Sequence, residues 1–137
     1  MALSVRTMEY FNTRIVDTPG KAYEILKVLA SEDISLLAFS AVPFGPNHVD
    51  LTLFPDQPQN FLHLASSQGW PVSEPQHACL VQGDDQLGAI ADIQKKLVDA
   101  GVSIYASSGV TDGRGHYGYV IYFKEGDHEK AAKALNS

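Results

Sequence analysis

The chain has 137 residues, 45% of them apolar, and a net charge of −6 from 10 Lys and Arg against 16 Asp and Glu. This is ordinary globular composition, and without a basic cluster it argues against nucleic acid, whose phosphates need grouped Lys and Arg. A single cysteine, Cys79, excludes an intrachain disulfide; no signal-peptide layout opens the sequence and no apolar run approaches the roughly 20 residues that cross a bilayer, so a cytoplasmic protein is expected.

In chain order, Tyr10 to Val16 has strand composition and stops at Asp17-Thr18-Pro19-Gly20. Thr18 is expected as N-cap and Pro19 at the first helical position, where a missing N–H costs nothing. Apolar residues at Ala22, Ile25, Leu26 and Leu29 then follow helical spacing as far as Ser31-Glu32-Asp33. Ile34 to Val42 reads as a strand, Gly45-Pro46-Asn47 as a turn and His48 to Phe54 as the next strand. Asp56-Gln57-Pro58 opens a second helix with Phe61, Leu64, Ala65 and Gln68 on one side. Gly69 ends it, and a short strand is expected over Trp70 to Ser73.

The remainder repeats this order. A shift that lays Asp17 to Phe54 over Asp85 to Tyr122 needs no gap, and 11 of the 38 aligned positions are identical. An internal repeat must be recognised before a fold is assigned. The second copy then reads as a strand at His77 to Gly83, a helix from Asp85 to Ala100 with Ile90, Ile93, Leu97 and Val98 inward, strands at Val102 to Val110 and Tyr117 to Phe123, and a last helix from Asp127. The expected class is α+β: two ferredoxin-like βαββαβ repeats, 1–74 and 75–137, each an antiparallel sheet with helices on one face. The second repeat lacks an evident last strand, which either Ala2 to Arg6 or another chain would have to supply. Units of this size bury only about 60% of their unfolded surface and are marginal alone.

The second strand does not alternate apolar with polar as a half-exposed sheet should. Ile34, Leu36, Ala38 and Val42 form one face, and Leu37, Phe39 and Ala41 the other; Tyr105 repeats the problem in the second copy. Exposed apolar area of that size marks an interface, and a homodimer is expected.

Gly113-Arg114-Gly115-His116-Tyr117-Gly118 spells the dinucleotide fingerprint. It leads into the strand-like Tyr117 to Phe123 rather than a helix, and the acidic residue required about 20 positions on lies beyond Ser137. The repeat identifies it as the counterpart of the Gly45 turn.

The order βαββαβ, the Asp17-x-Pro19-Gly20 entry to the first helix, the passage "LKVLASEDISLLAFS" and the glycine turn ahead of the third strand together resemble the ACT domain family. The resemblance covers nearly the whole chain as two copies. It implies a small ligand-sensing module that binds an amino acid and regulates a metabolic enzyme. In the second copy Asp85 and Gly88 keep the loop's aspartate and glycine, while Leu87 stands where the proline belongs, so the implication bears mainly on the first copy.

The first loop has the chemistry for this. A helix start offers unpaired N–H groups and a positive dipole end to a carboxylate. Gly20 admits a ligand close to the backbone, Asp17 is a partner for an α-ammonium, and Asn12 and Arg14 lie on the preceding strand. A zwitterion is expected between this loop (Asp17, Thr18, Pro19, Gly20) and the start of the second strand of a neighbouring unit (Leu37, Phe39), with Asp85, Leu87 and Gly88 as the second copy's equivalents. A plainer role is that Asp17 caps the helix and Gly20 permits close packing. His48 and His116 occupy equivalent places after the turns and read as polar residues at strand starts. Arg114 reads as a solvated tip residue. No cofactor is called for, no cluster has metal-ligand spacing, and no nucleophile elbow, Walker A loop or H-E-x-x-H occurs. The expected function is a non-catalytic, amino-acid-binding regulator of an enzyme of amino-acid metabolism. The alternatives are an obligate interaction subunit without a ligand, or a small ferredoxin-like enzyme using His116.

Overall fold

The structure is a computed structural model and describes residues 3–136. Its elements are β1 (Ser4–Val16), α1 (Lys21–Ser31), β2 (Leu36–Phe44), β3 (His48–Pro55), α2 (Pro58–Gln68), β4 (Gln76–Asp84), α3 (Ala89–Asp99), β5 (Ile104–Thr111), β6 (His116–Phe123) and α4 (His128–Leu135). The shift that aligns the sequence repeat carries α1 onto α3 and β3 onto β6 at both ends. No helix among the described residues is long and apolar enough to cross a membrane.

The chain divides into two compact units, Glu9–Gln76 and the residues up to Met8 together with those from His77 onward. The described residues up to Met8 go with the second repeat. In the unit Glu9–Gln76 the strand order is β2-β3-β1, all antiparallel. In the other it is β1-β4-β6-β5, the first half of β1 standing in the place of a ferredoxin-like last strand. Val5 packs there against the core. Of the segment Ala2 to Arg6, Ala2 lies outside the described residues.

The core of Glu9–Gln76 gathers Phe11, Ile25, Leu29, Ile34, Leu51, Leu53, Phe61 and Ala65, with the Phe11 and Phe61 rings stacked 4.9 Å apart. Each large side chain buried in this way contributes about 1.5–3 kcal/mol. The second core gathers Cys79, Val81, Ile93, Leu97, Tyr119, Ile121, Ala131 and Leu135 among others. Burial pushes the Cys79 thiol above its ordinary value, as suits a structural residue. Val98, expected inward, is 68% exposed, because one step beyond Leu97 turns a helical side chain about 100° away from the buried stripe.

Three local expectations are corrected. Thr18 does not cap α1: Gly20 is the N-cap, and the helix has no side-chain cap hydrogen bond. Trp70 to Ser73 is not a strand. The segment runs beside β1, with Ser73 N–H donating to Asn12 O at 2.9 Å and the Thr13 hydroxyl to Pro71 O at 2.6 Å, but Pro71 and Pro75 lack the N–H groups a ladder needs. Finally, β2 does not keep one alternation. A β-bulge lies between Leu36 and Ala38, and its counterpart lies between Ile104 and Ala106 in β5. One extra residue reverses the faces, so Phe39 and Ala41 pair with Leu53 and Leu51 on the core side, while Ala38, Ser40 and Val42 pair with Phe54, Thr52 and Asp50 on the other.

Candidate functional site

Both strand-to-helix loops are the same turn. Lys21 N–H donates to Thr18 O at 3.2 Å and Ala89 N–H to Gln86 O at 3.0 Å. Gly20 (φ 84°, ψ −6°) and Gly88 (φ 84°, ψ 3°) occupy the third position. This is type II geometry, with Pro19 or Leu87 second and glycine third because φ must be positive. Nothing lies within 4 Å of a Cβ built on either glycine, so the backbone angle, not close packing, requires them. Each loop is tied to its hairpin: Asp17 N–H donates to Asn47 O and Asp85 N–H to Gly115 O, both at 2.8 Å. Leu87 is fully exposed, and its replacement of proline leaves the turn unchanged.

The residues expected around the first loop do not converge on it. Arg14 donates through Nε to Asp50 Oδ1 at 2.7 Å, and its guanidinium lies 3.3 Å from the Phe44 ring centroid. Asn12 accepts from the Thr52 hydroxyl at 2.9 Å. Both pair in register with β3 residues on the face away from Leu51 and Leu53 and so point away from the α1 side of the sheet. Asp17, Thr18, Pro19 and Gly20 are exposed, and Asp17 makes no cap to α1. Leu37 is half-buried at the bulge, and Phe39 is exposed on the core side of β2.

The second loop borders a cavity of about 410 Å3, lined by Asp85, Gln86, the first turn of α3, the end of β5 (Gly109 to Thr111), Tyr117 and Tyr119. Asp85 and Gly88 were expected from the sequence; the rest of the wall was not. Beside this loop the two repeats differ in one cross-strand pair. Ile15 faces Val49 in the first repeat, whereas their counterparts are Gly83 facing Tyr117. A Cβ on Gly83 would stand 3.0 Å from the Tyr117 hydroxyl, so only glycine leaves the ring this position. Gly109 likewise clears Tyr119, whose Cδ1 would lie 3.2 Å from an added Cβ. Aligning the two copies residue by residue, Ile15 on Gly83 and Val49 on Tyr117, is the sequence signal of this difference.

The wall carries one charged side chain, Asp85. On the same wall, the Ile90 and Ala91 N–H groups in the first turn of α3 have no partner among the described residues, since no side chain caps the helix. Such N–H groups and the helix dipole favour a carboxylate. The Tyr119 hydroxyl is engaged, accepting from Gln94 Nε2 at 2.9 Å and donating to Ser107 Oγ at 3.0 Å. Burial pushes the Tyr117 phenol above its ordinary value, and the nearby Asp84 carboxylate adds to this.

His116 is exposed at the hairpin, with Nδ1 3.2 Å from Asp112 Oδ2. The Asp112 carboxyl is held below its usual range, first by the Arg114 backbone N–H at 2.6 Å. These bonds order the hairpin tip. Among the described residues no group of three or more His, Cys, Asp or Glu could hold a metal ion.

No protein-family model and no curated protein matches the chain. Solved structures do. A protein from Bacteroides thetaiotaomicron superposes with TM-score 0.81 at 17% identity over 96% of this chain and 88% of its own. The regulatory subunit of aspartate kinase from Thermus thermophilus, in ligand-free form, gives 0.64 at 16% identity over 98% and 94%. A structure of aspartokinase alpha and beta subunits gives 0.62 at 20% identity over 99% and 95%. The likeness is one of fold. Solved regulatory subunits of aspartate kinase share the ferredoxin-like α+β fold of this chain.

Proposed function

We propose that the chain is a non-catalytic regulatory module that binds an α-amino acid in the cavity at the start of α3. The observation that carries this reading is the presence, on one cavity wall, of a single carboxylate and a helix start whose N–H groups lack partners among the described residues. Asp85 takes the ligand's ammonium, and the Ile90 and Ala91 N–H groups take its carboxylate. The ligand thereby holds the second loop, the end of β5 and α3 in one arrangement. A coupling of about 1–3 kcal/mol between that arrangement and a partner's state suffices for regulation.

Neighbours that regulate aspartate kinase support an enzyme of amino-acid metabolism as the partner, an analogy of fold. A homodimer, or a partner enzyme, would cover the exposed apolar residues of β5, where Tyr105 is 69% and Val110 74% exposed. The same exposure favours the second reading, an interaction subunit without a ligand.

A thermal-shift screen of the purified chain against the twenty amino acids, with calorimetry on hits, tests the first reading. A ligand at 100 times its Kd adds roughly 2.7 kcal/mol of stability. Asp85→Asn is expected to lower the affinity by about tenfold or more, as loss of a charge-assisted hydrogen bond does. No shift with any amino acid would refute ligand sensing and leave the interaction subunit.

A further inference from the structure

Resting on that reading, we infer that the cavity selects its amino acid by charge: it rejects acidic side chains and takes those without a negative charge. The anion-binding groups of the proposed site are the N–H groups at the start of α3, and the ligand's own carboxylate occupies them. One helix start serves one carboxylate, because its free N–H groups and its dipole act within the first turn only. A second carboxylate, on the side chain, has to find a partner elsewhere on the wall.

The wall supplies none. No Lys, Arg or His is among the lining residues, and the one charged side chain there, Asp85, is itself a carboxylate. Another, the exposed Asp92, directly follows the lining residue Ala91 in the first turn of α3. The cations of α3 stand farther along it: Lys95 pairs with Asp99 at 2.8 Å, and Lys96 is in the last turn. Those of the neighbouring hairpin, Arg114 and His116, are exposed and do not line the cavity, and His116 Nδ1 lies 3.2 Å from Asp112 Oδ2. From the wall, Gln86 and Thr111 can donate hydrogen bonds to a side-chain carboxylate. An amide oxygen accepts the same bonds without repulsion from Asp85 and Asp92. Like charges brought together on binding are a strong means of rejecting the wrong partner. The first repeat differs at this point, since α1 opens with Lys21 where α3 opens with the lining residue Ala89.

The test is calorimetric titration of the full chain with two nearly isosteric pairs, asparagine against aspartate and glutamine against glutamate, at about pH 8, where histidine is ordinarily neutral. Each acid is expected to bind about tenfold or more weakly than its amide in low salt, and the gap should shrink in high salt, as screening requires. Where an amide is not taken, the tightest-binding of the other amino acids is the reference. Ala89→Lys places on the wall the cation that the first repeat carries as Lys21 and should narrow the gap by about twofold or more. A thermal melt establishes that this variant is folded; if it is not, Asp92→Asn, an exposed change off the wall, takes its place with the same expectation. A smaller gap for either acid in the wild type, or one that neither salt nor the folded variant narrows, overturns the inference while leaving the amino-acid site standing. Absence of binding by all amino acids overturns both.

Discussion

Gly83→Ala probes the exchange that seats the Tyr117 ring. The new Cβ would lie 3.0 Å from the Tyr117 hydroxyl, 3.1 Å from Cε1 and 3.2 Å from Cζ, three contacts all shorter than ordinary van der Waals separation. The ring must give by a few tenths of an ångström, yet Tyr117 is 7% exposed and belongs to the core that includes Cys79, Val81 and Ile121. Overpacking of this kind costs about 1–3 kcal/mol, which for a chain of this size lowers Tm by roughly 3–15 °C. A double-mutant cycle with Tyr117→Val identifies the cause, since valine is what the first repeat carries at the counterpart position, Val49. Tyr117→Val alone costs about 2–4 kcal/mol as a large-to-small change. The double variant should be more stable than the sum of the two by about 1 kcal/mol or more, because the methyl then occupies space the ring has left. Urea unfolding of the four proteins measures each term. A Gly83→Ala cost below about 0.5 kcal/mol, or one undiminished in the Tyr117→Val background, would refute the argument that the glycine exists to seat the ring.

The turns and the cores yield further expectations. Leu87→Pro places in the second turn the residue the first already has, with φ pre-set, and should stabilise by about 0.4–1 kcal/mol; destabilisation in urea would mean the two turns differ. Phe61→Ala removes the ring stacked on Phe11 and should cost about 3–5 kcal/mol, a loss under about 1 kcal/mol being incompatible with a fully buried pair. For Tyr117 the folded-state pKa is raised above 10.0. Its contribution to stability is therefore complete below pH 10.0 and is lost as pH rises through the folded value. Alkaline titration of phenolate absorbance should show a late-ionising component that Tyr117→Phe diminishes; a late component unchanged by the substitution would contradict the burial.

The repeat was legible because its residues recur in one register, and the structure follows that register in α1 and α3 and in β3 and β6. The bulges were not legible. Leu36-Leu37-Ala38-Phe39 is apolar throughout, and a run without alternation gives no sign of where its faces reverse. Asn12 and Arg14 were grouped with the loop by sequence proximity, but strand alternation turned them to the opposite face, where Asp50 and Thr52 hold them. The Asp17-Thr18-Pro19-Gly20 entry drew attention to the first copy because proline advertises a turn. The turn depends on glycine's positive φ, which both copies share, and the seat of the Tyr117 ring depends on what faces it across the sheet at position 83. That partner is fixed by strand register, a quantity one strand alone does not carry.

The division of β1 between the two units has a consequence for how the protein is made. The unit Glu9–Gln76 is contiguous, and all of its residues are available once Gln76 has left the ribosome. The other unit begins with the residues before Glu9 and cannot close until β4, β5, β6 and α4 have been synthesised. Domains fold as units during synthesis, so the inner repeat forms first, and the opening strand waits across a complete folded insert for the partners that shelter Val5. Translation thereby sets the order of assembly, and the cavity-bearing repeat, which joins residues before Glu9 to residues after Gln76, closes after the inner one.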